Sequence, residues 1–315
     1  MNMTATATPL SSQHDLLTGM EWSPARQHEL FRLAAAIKAR PDDFRTVLAG
    51  RFLALIFEKP SLRTRVTFEV GIVSLGGTAV FLDYTLTHLG QRESIRDIAK
   101  NLERWVHGIV ARMFAQEELE ELARNADVPV INALSDRFHP CQALADFFTL
   151  EEHFGELRGL KFAYVGDGNN MCHSLLSVGA RAGAHLRIAT PAGYEPAPDV
   201  VAEAKRVARE TRAKIELFRS PEEAVAGAQA VYTDVWTSMG HEAEAAARNA
   251  AFAAYQVNEA LFAQAAPDAV FLHCLPAHRG MEVTDAVIDS PRSIVYDQAE
   301  NRLHVQKAIQ HTLLG

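Results

Sequence analysis

The stretch RFLALIFEKPSLRTRVTFEVG, residues 51–71, joins an apolar run of strand length to a segment with helical periodicity. The run at 51–57 predicts a strand, and Ser61, preceded by Pro60, is placed to cap the helix that follows. Free backbone N–H groups and the positive end of this helix then face the space beyond the strand, which is an anion site in outline. The helix itself carries an apolar stripe at Val66, Val70 and Val73.

Two arginines lie at this helix start, and their spacing places them on different faces of the helix. Arg63 and Arg65 are about 200° apart around a helix, so they cannot both face one ligand. Arg65 stands one turn before Glu69, which favours an ion pair on the helix surface. A guanidinium in the first helical turn opposes the helix dipole, so Arg63 indicates a bound anion.

Strand-length apolar runs alternate with helical segments along the rest of the chain. Together with the helix at 139–155, this alternation predicts an α/β fold of two domains, each with a mostly parallel sheet flanked by helices. We place the domains at residues 1–150 and 151–299, and expect a C-terminal helix, about 300–315, to pack back on the first. The other predicted strands are 78–82, 108–114, 128–132, 160–167, 185–191, 214–218, 230–236, 269–275 and 293–297.

The composition is that of an ordinary globular protein, with 315 residues, 48% hydrophobic and 22% charged, and a formal net charge of −8. That charge argues against a surface built for nucleic acid, and no apolar run approaches the length of a membrane span. Cys141, Cys172 and Cys274 form no CxxC pair, which fits a reducing cytosol. We therefore expect a cytoplasmic chain that binds neither nucleic acid nor membrane.

Loops that follow strands are the candidate sites, because ligands of open α/β sheets bind at the carboxyl ends of the strands. The segment VGDGNN, residues 165–170, does not fit a dinucleotide fingerprint, since Met171 stands where a third glycine is needed. Asn169 and Asn170 either cap the next helix or hold a carboxylate and an ammonium, and spacing leaves both open. Asp234 ends another strand, where it caps a turn or pairs with a cationic ligand.

Cys274 also lies near a strand end, although composition alone favours a small core residue there. Its neighbour His273 points to the opposite face of a strand, so the two form no Cys-His nucleophile pair, and the spacing predicts no metal site. His139 and Gln142 lie one turn apart at a helix start and can reach the same spot. Further polar candidates, each unremarkable alone, are His88, Arg112 and Arg302.

Six motifs stand in an order that resembles the aspartate/ornithine transcarbamoylase family over essentially the whole chain. They are FEKPSLRTR, HLGQRES, HPCQALADFFT, GDGNN, DVWTSMG and HCLPAHRG, the last followed by DQAENRLHVQKAI. The resemblance implies an enzyme without a cofactor that transfers the carbamoyl group of carbamoyl phosphate to the δ-amine of L-ornithine, giving L-citrulline and phosphate. It also implies a homotrimer or a multiple of trimers, with active sites shared between subunits.

The same resemblance implies roles for individual residues. The set for carbamoyl phosphate is Ser61, Leu62, Arg63, Thr64, Arg112, His139, Gln142, Cys274, Leu275 and Arg302, with His88 reaching the site of a neighbouring subunit. The set for ornithine is Asn170, Asp234, Ser238 and Met239. Catalysis is expected from Arg112, His139, Asp234 and Cys274.

Leu62 departs from the family pattern, which commonly has threonine at this position. If the position contributes only its backbone N–H, phosphate binding is unaffected; if a hydroxyl is needed, affinity is reduced. The expected chemistry is direct attack of the amine through a tetrahedral intermediate, with positioning and electrostatics in place of a covalent step. The alternatives are a transcarbamoylase for another amine acceptor such as putrescine or acetylornithine, a non-catalytic binding homologue and, by fold alone, a dehydrogenase.

Overall fold

The computed structural model describes residues 14–83, 93–237 and 242–315, which build two parallel β-sheets surrounded by helices. The first sheet contains β1 (Phe52–Phe57), β2 (Thr78–Asp83), β3 (Gly108–Arg112) and β4 (Val130–Leu134). Their order is β2-β1-β3-β4, and every neighbouring pair is parallel. β1 and β3 are apolar along most of their length because helices cover both faces of such a sheet.

The helices of this half precede or follow the strands in turn. They are α1 (Pro24–Ala39), α2 (Leu62–Ser74), α3 (Ile95–Leu102), α4 (Gln116–Asn125) and α5 (Pro140–Phe154). The side chains of Ser23 and Ser94 cap α1 and α3 by accepting from backbone N–H groups of their first turns. This local signal explains where α1 and α3 begin, whereas Ser61 occupies the N-cap position of α2 without a side-chain capping bond.

The second sheet contains β5 (Lys161–Val165), β6 (His185–Ala189), β7 (Lys214–Phe218), β8 (Ala230–Thr233) and β9 (Val270–His273). Their order is β7-β6-β5-β8-β9, again with parallel pairs, so the predicted α/β fold class is confirmed. The helices are α6 (Asn170–Ala182), α7 (Pro198–Thr211), α8 (Pro221–Val225), α9 (Ala245–Phe252), α10 (Glu259–Phe262), α11 (Asp285–Ile288) and α12 (Val295–Leu314).

The strand predicted at residues 293–297 is wrong. Ser293 makes a single bridge to Phe271, and α12 begins at Val295. The run SIVYD is rich in β-branched and aromatic residues, which favour strands in isolation. In the folded chain Ile294 and Val295 are buried at the start of the helix, and Asp297 lies in the first turn, where a carboxylate favours the helix.

Helix α12 runs back across the first half of the chain, where it packs against α1, α2 and α5. The approach to α2 is close, because a Cβ atom on Gly71 would lie 2.7 Å from Nε2 of Gln310. Glycine at position 71 therefore leaves room for the Gln310 side chain between the two helices. This packing brings Arg302, from the middle of α12, to the start of α2.

The carboxyl ends of strands from both sheets face a common cleft, and α2, α5 and α6 begin beside it. In parallel α/β sheets this edge is where ligands bind, because loops and helix N-termini converge there. None of the helices in the described ranges combines the length and the apolar character needed to cross a membrane.

Candidate active site

A cavity of about 620 Å³ opens where the two sheets meet. Its walls come from the loops after β1, β3, β4, β5, β8 and β9, and every predicted site residue in the described ranges lines it. His88, Ser238 and Met239 lie outside the described residues, so their roles stay predictions. The predicted residues that the structure brings together are Ser61, Leu62, Arg63, Thr64, Arg112, His139, Gln142, Asn170, Asp234, Cys274, Leu275 and Arg302.

One wall of the cavity holds a cluster of buried cations. Arg112, at the end of β3, is 6% exposed, and Arg302 is 4% exposed. The Nε atoms of both are buried without a hydrogen-bond partner among the described residues. Burial, and then the charges of Arg302 and Arg63, lower the pKa of Arg112 to about 10. So much positive charge in low-dielectric surroundings favours the binding of an anion.

Arg302 is held in place by two helices of the first half. Its Nη1 donates to Oε1 of Gln142 at 2.6 Å, and its Nη2 donates to Oγ1 of Thr64 at 2.9 Å. His139, at the start of α5, is buried beside it. Burial, followed by the charges of Arg302 and Arg112, holds the pKa of His139 well below its ordinary value. The imidazole is therefore neutral near pH 7 and can donate a hydrogen bond without adding charge.

The predicted separation of Arg63 and Arg65 is confirmed. Nε of Arg65 donates to Oε1 of Glu69 at 3.0 Å, and its guanidinium lies 3.6 Å from the ring centroid of Phe81. Arg63 instead lines the cavity. Leu62 is the first residue of α2 and is 77% exposed, so its backbone N–H belongs to the first turn, where helix N–H groups have no partner within the helix.

The second sheet contributes Asp234, which accepts hydrogen bonds from two neutral side chains. Sγ of Cys274 donates to Oδ1 of Asp234 at 3.0 Å, and Nδ2 of Asn169 donates to Oδ2 at 3.0 Å. Burial, reinforced by the charge of Asp234, raises the pKa of Cys274 well above its ordinary value, so the thiol stays protonated. A carboxylate supported in this way fits an incoming ammonium group.

The two asparagines, for which spacing left capping and ligand binding open, differ in their contacts. Oδ1 of Asn169 accepts from the N–H groups of Met171 at 3.0 Å and Cys172 at 3.1 Å, so Asn169 caps α6. Nδ2 of Asn170 donates to the backbone oxygen of Ser135 at 2.7 Å. Asn170 thereby ties the start of α6 to the loop after β4 at the cavity wall.

Composition alone favoured Cys274 as a core residue, but it lines the cavity and bonds to Asp234. Asp234, His273 and Cys274 place possible metal ligand atoms within 4.8 Å of one another. Nδ1 of His273 accepts from the N–H of Leu275 at 2.9 Å, and Nε2 faces Oε1 of Glu282 at 3.2 Å. Both ring nitrogens are therefore engaged, and this trio does not offer three free metal ligands.

Sequence reasoning missed an ion pair on the cavity wall. Nη1 of Arg248 donates to Oδ2 of Asp167 at 2.7 Å and to the backbone oxygen of Trp236 at 3.0 Å. Arg248 lies in an Ala-rich segment, residues 242–254, whose composition favours a helix but does not single out Arg248. Asp167 stands two residues after the end of β5, and this place in the loop after a strand was the signal that could have marked it.

Fold and cavity together define a two-sheet α/β protein whose site can hold an anion beside a cation. Comparison of the sequence with known families identifies the class more narrowly. Residues 14–152 match the family model "Aspartate/ornithine carbamoyltransferase, carbamoyl-P binding domain", and residues 158–313 match "Aspartate/ornithine carbamoyltransferase, Asp/Orn binding domain". The chain therefore belongs to the aspartate/ornithine carbamoyltransferase family. Membership confirms the predicted family and the predicted enzyme class, a carbamoyltransferase.

Relatives named ornithine carbamoyltransferase are similar over nearly their whole length. The chain is 52% identical to one from Anoxybacillus flavithermus over 316 residues, which is 100% of both proteins. It is 53% identical to one from Thermus thermophilus over 308 residues, 97% of this chain and 98% of that protein. The solved structure of ornithine carbamoyltransferase from Pyrococcus furiosus has a TM-score of 0.93 at 47% identity, and the match covers 96% of this chain and 98% of that one.

Proposed function

We propose that this chain transfers the carbamoyl group of carbamoyl phosphate to the δ-amine of L-ornithine, giving L-citrulline and phosphate. The observation that carries the proposal is a single cavity that holds the buried cations Arg112 and Arg302 together with the Asp234 carboxylate. A phosphate dianion and an ammonium substrate need opposite charges within one site. Relatives named ornithine carbamoyltransferase, one of them 52% identical over its full length, support ornithine as the acceptor.

The phosphate end of the donor substrate is assigned to the cation cluster and to the start of α2. Arg63, Arg112 and Arg302 supply charged donors, and the first-turn N–H groups of α2 add the positive end of the helix. Negative charge grows on the phosphate as it leaves. Donors already held in place, as Arg302 is by Gln142, stabilise that charge without reorganising.

The carbonyl oxygen of the carbamoyl group is assigned to His139. The attacking amine converts the carbonyl carbon to a tetrahedral centre, and its oxygen then carries a negative charge. A neutral imidazole can donate to that oxygen, and His139 has a buried Nδ1 without a partner among the described residues. This role makes His139 a stabiliser of the transition state and not a base.

The acceptor end is assigned to Asp234 and Cys274. The carboxylate attracts the δ-ammonium and orients it, while the Cys274 thiol donates to Oδ1 and fixes the carboxylate. The δ-ammonium first releases one proton to solvent, which leaves a neutral amine. Nitrogen then forms the new C–N bond, and the C–O bond to phosphate breaks. The departing phosphate takes the second proton from nitrogen, so no protein base and no covalent intermediate is required. Asn170, Ser238 and Met239 are assigned to the rest of ornithine.

An exposed apolar stripe on α2 supports the predicted assembly, a homotrimer or a multiple of trimers. A row of aliphatic side chains open to water marks a contact surface more often than a free face. The stripe starts beside the phosphate site. A second copy of the chain that packed on it would therefore lie next to that site, and His88 of one subunit is predicted to contact the site of its neighbour. It consists of Leu62, Val66, Val70 and Val73, which are 77%, 46%, 47% and 62% exposed.

We also propose the predicted division of labour between domains, with carbamoyl phosphate bound by residues 1–150 and ornithine by residues 151–299. The packing of α12 against α1, α2 and α5 supports placing the helix from about residue 300 with the first domain. The free thiols of Cys141, Cys172 and Cys274 are compatible with the reducing cytoplasm, which is the proposed location.

A colourimetric citrulline assay tests the proposed activity. Purified protein is given carbamoyl phosphate with L-ornithine, putrescine or acetylornithine in separate reactions, and the carbamoylated product is identified. Turnover with ornithine well above that with the other amines is expected. A higher kcat/KM for another acceptor would reassign the substrate, and no product with any amine would support a binding homologue without catalysis.

A further inference from the structure

Asp146 is a buried carboxylate close to the cavity, although it is not part of the cavity wall. It lies on α5, one turn after Gln142 and therefore on the same face of the helix. Its side chain is 0% exposed, and the sequence motifs did not mark it as a site residue. A carboxylate is almost never buried so completely unless other groups are hydrogen-bonded to it.

Two amides donate to the same oxygen of this carboxylate. Nε2 of Gln142 lies 2.7 Å from Oδ1 of Asp146, and Nε2 of Gln298, on α12, lies 2.6 Å from it. An ionised carboxylate accepts hydrogen bonds and has no proton to donate. Each amide must therefore turn its nitrogen toward Asp146 and its oxygen away, so the carboxylate favours one orientation of each amide.

The two amide oxygens serve different halves of the site. Oε1 of Gln142 accepts from Nη1 of Arg302 at 2.6 Å, on the phosphate side. Oε1 of Gln298 accepts from the backbone N–H of His273 at 3.0 Å, on the last residue of β9. The next residue along the chain is Cys274, whose thiol bonds to the carboxylate assigned to the acceptor amine.

We propose that Asp146 is a positioning residue that serves both substrates while touching neither. Through Gln142 it aligns Arg302 for carbamoyl phosphate. Through Gln298 it aligns the strand end that carries Cys274 for the amine. The inference rests on the proposed function, since that function assigns Arg302 and Cys274 to the two substrates.

The charge state of Asp146 gives this role a pH signature. Burial raises the pKa of Asp146 to about 7, although the hydrogen bonds it accepts and the charge of Arg302 lower it. Tyr232 on β8 and Cys274 after β9 also face this region, but burial keeps both acids neutral, and His139 at the start of α5 is neutral as well. Below a pH of about 7 the Asp146 carboxyl gains a proton and loses its charge. The two hydrogen bonds that it accepts are then no longer charge-assisted and hold the amides less firmly.

Replacement of Asp146 by asparagine removes the charge and keeps the shape of the side chain. At about pH 8.5 we expect Asp146→Asn to lower kcat/KM for carbamoyl phosphate about tenfold, the usual difference between charge-assisted and neutral hydrogen bonds. At about pH 5.5 the wild-type carboxyl is protonated, so the two proteins should differ by less than about twofold. A ratio that is the same at both pH values, whatever its size, overturns the proposal.

Thr149→Val is the matched control, because it disturbs the contact between the same two helices without reaching Asp146. Oγ1 of Thr149 accepts from Nδ2 of Asn301, on α12, at 3.0 Å. We expect this variant to show the wild-type pH profile. If it loses activity with the profile of Asp146→Asn, a general loosening of the α5–α12 contact explains both variants and the proposal fails.

A second variant tests the same proposal if Asp146→Asn does not fold. Gln298→Met removes the amide that links Asp146 to His273, while the contact between Gln142 and Asp146 stays. We expect kcat to fall while KM for carbamoyl phosphate changes by less than about twofold. A fall in kcat matched by an equal rise in KM, or no change in either constant, overturns the proposal.

Binding measurements separate this inference from the proposed function. If the wild-type protein makes no citrulline, the proposed function fails, and calorimetric titration with carbamoyl phosphate still tests Asp146. About tenfold weaker binding by Asp146→Asn at about pH 8.5 would support the positioning role on the phosphate side. Equal affinity of wild type and variant would overturn it.

Discussion

Alanine substitutions at Arg63 and Arg65 should damage different properties of the protein, although the two residues stand at the same helix start. Arg63 lines the cavity, close enough to Arg112 for its charge to lower the pKa of that group. Arg65 points outward to Glu69 and Phe81. Arg63→Ala should therefore lower activity, while Arg65→Ala should lower stability.

The contacts set the magnitudes. A guanidinium that makes two charge-assisted hydrogen bonds to phosphate contributes about 3–6 kcal/mol, so Arg63→Ala should lower kcat/KM by about 10²–10⁴-fold. The pair of Arg65 and Glu69 is half exposed, with side chains 46% and 34% exposed, which limits its value. Ion pair and ring contact together make the expected loss in Arg65→Ala about 1 kcal/mol of unfolding free energy.

Citrulline formation and the thermal unfolding temperature, measured on both variants, test whether the two arginines have these separate roles. Arg63→Ala should unfold at or above the wild-type temperature, because the substitution relieves repulsion with Arg112 and Arg302. Arg65→Ala should unfold at a lower temperature than the wild-type protein and keep most of the wild-type activity. These separate roles of Arg63 and Arg65 are refuted if Arg65→Ala loses more than about tenfold in kcat/KM, or if Arg63→Ala keeps more than about a tenth of the wild-type kcat/KM.

Three further substitutions have distinct expected outcomes. Cys274→Ala removes the donor on Asp234, so steady-state kinetics should show a larger fall in kcat than in phosphate affinity; an unchanged kcat would contradict this role. If position 62 acts through its backbone N–H, Leu62→Thr should leave KM for carbamoyl phosphate within about twofold; a markedly lower KM would show that a hydroxyl matters. Val70→Asp should form smaller oligomers than the wild-type protein in analytical ultracentrifugation. The matched control is Leu217→Asp, since Leu217 is 46% exposed and Val70 is 47% exposed, and this control should keep the wild-type assembly. The same assembly in both variants would rule out α2 as the contact surface.

Sequence patterns predicted what depends on local spacing. The alternation of strands and helices gave both sheets, and the i,i+4 spacing gave the pair of Arg65 and Glu69. The same local reasoning failed at residues 293–297, where β-branched residues favoured a strand but burial at the start of α12 prevailed. Propensity is a weak guide wherever tertiary packing decides.

Contacts between distant residues could not be read from spacing. Arg302 appeared unremarkable in its motif, and only the fold brings it to Gln142 and Thr64. Local sequence patterns did not single out Asp146, because its partner Gln298 is 152 residues away. Family resemblance supplied Arg302, but it did not supply Asp146, which touches no substrate.

From the course of α12 we expect completion of the site to be a late event in folding. Arg302 bonds to residues 160 and 238 positions earlier, and contacts so far apart form slowly because a long stretch of chain must first be closed. Until α12 docks, the helices it covers keep an apolar face open to water and the cation cluster lacks one member. We therefore expect the site to be completed only after the C-terminal helix has been synthesised, and an anion bound at Arg302 to stabilise the docked state over its precursors.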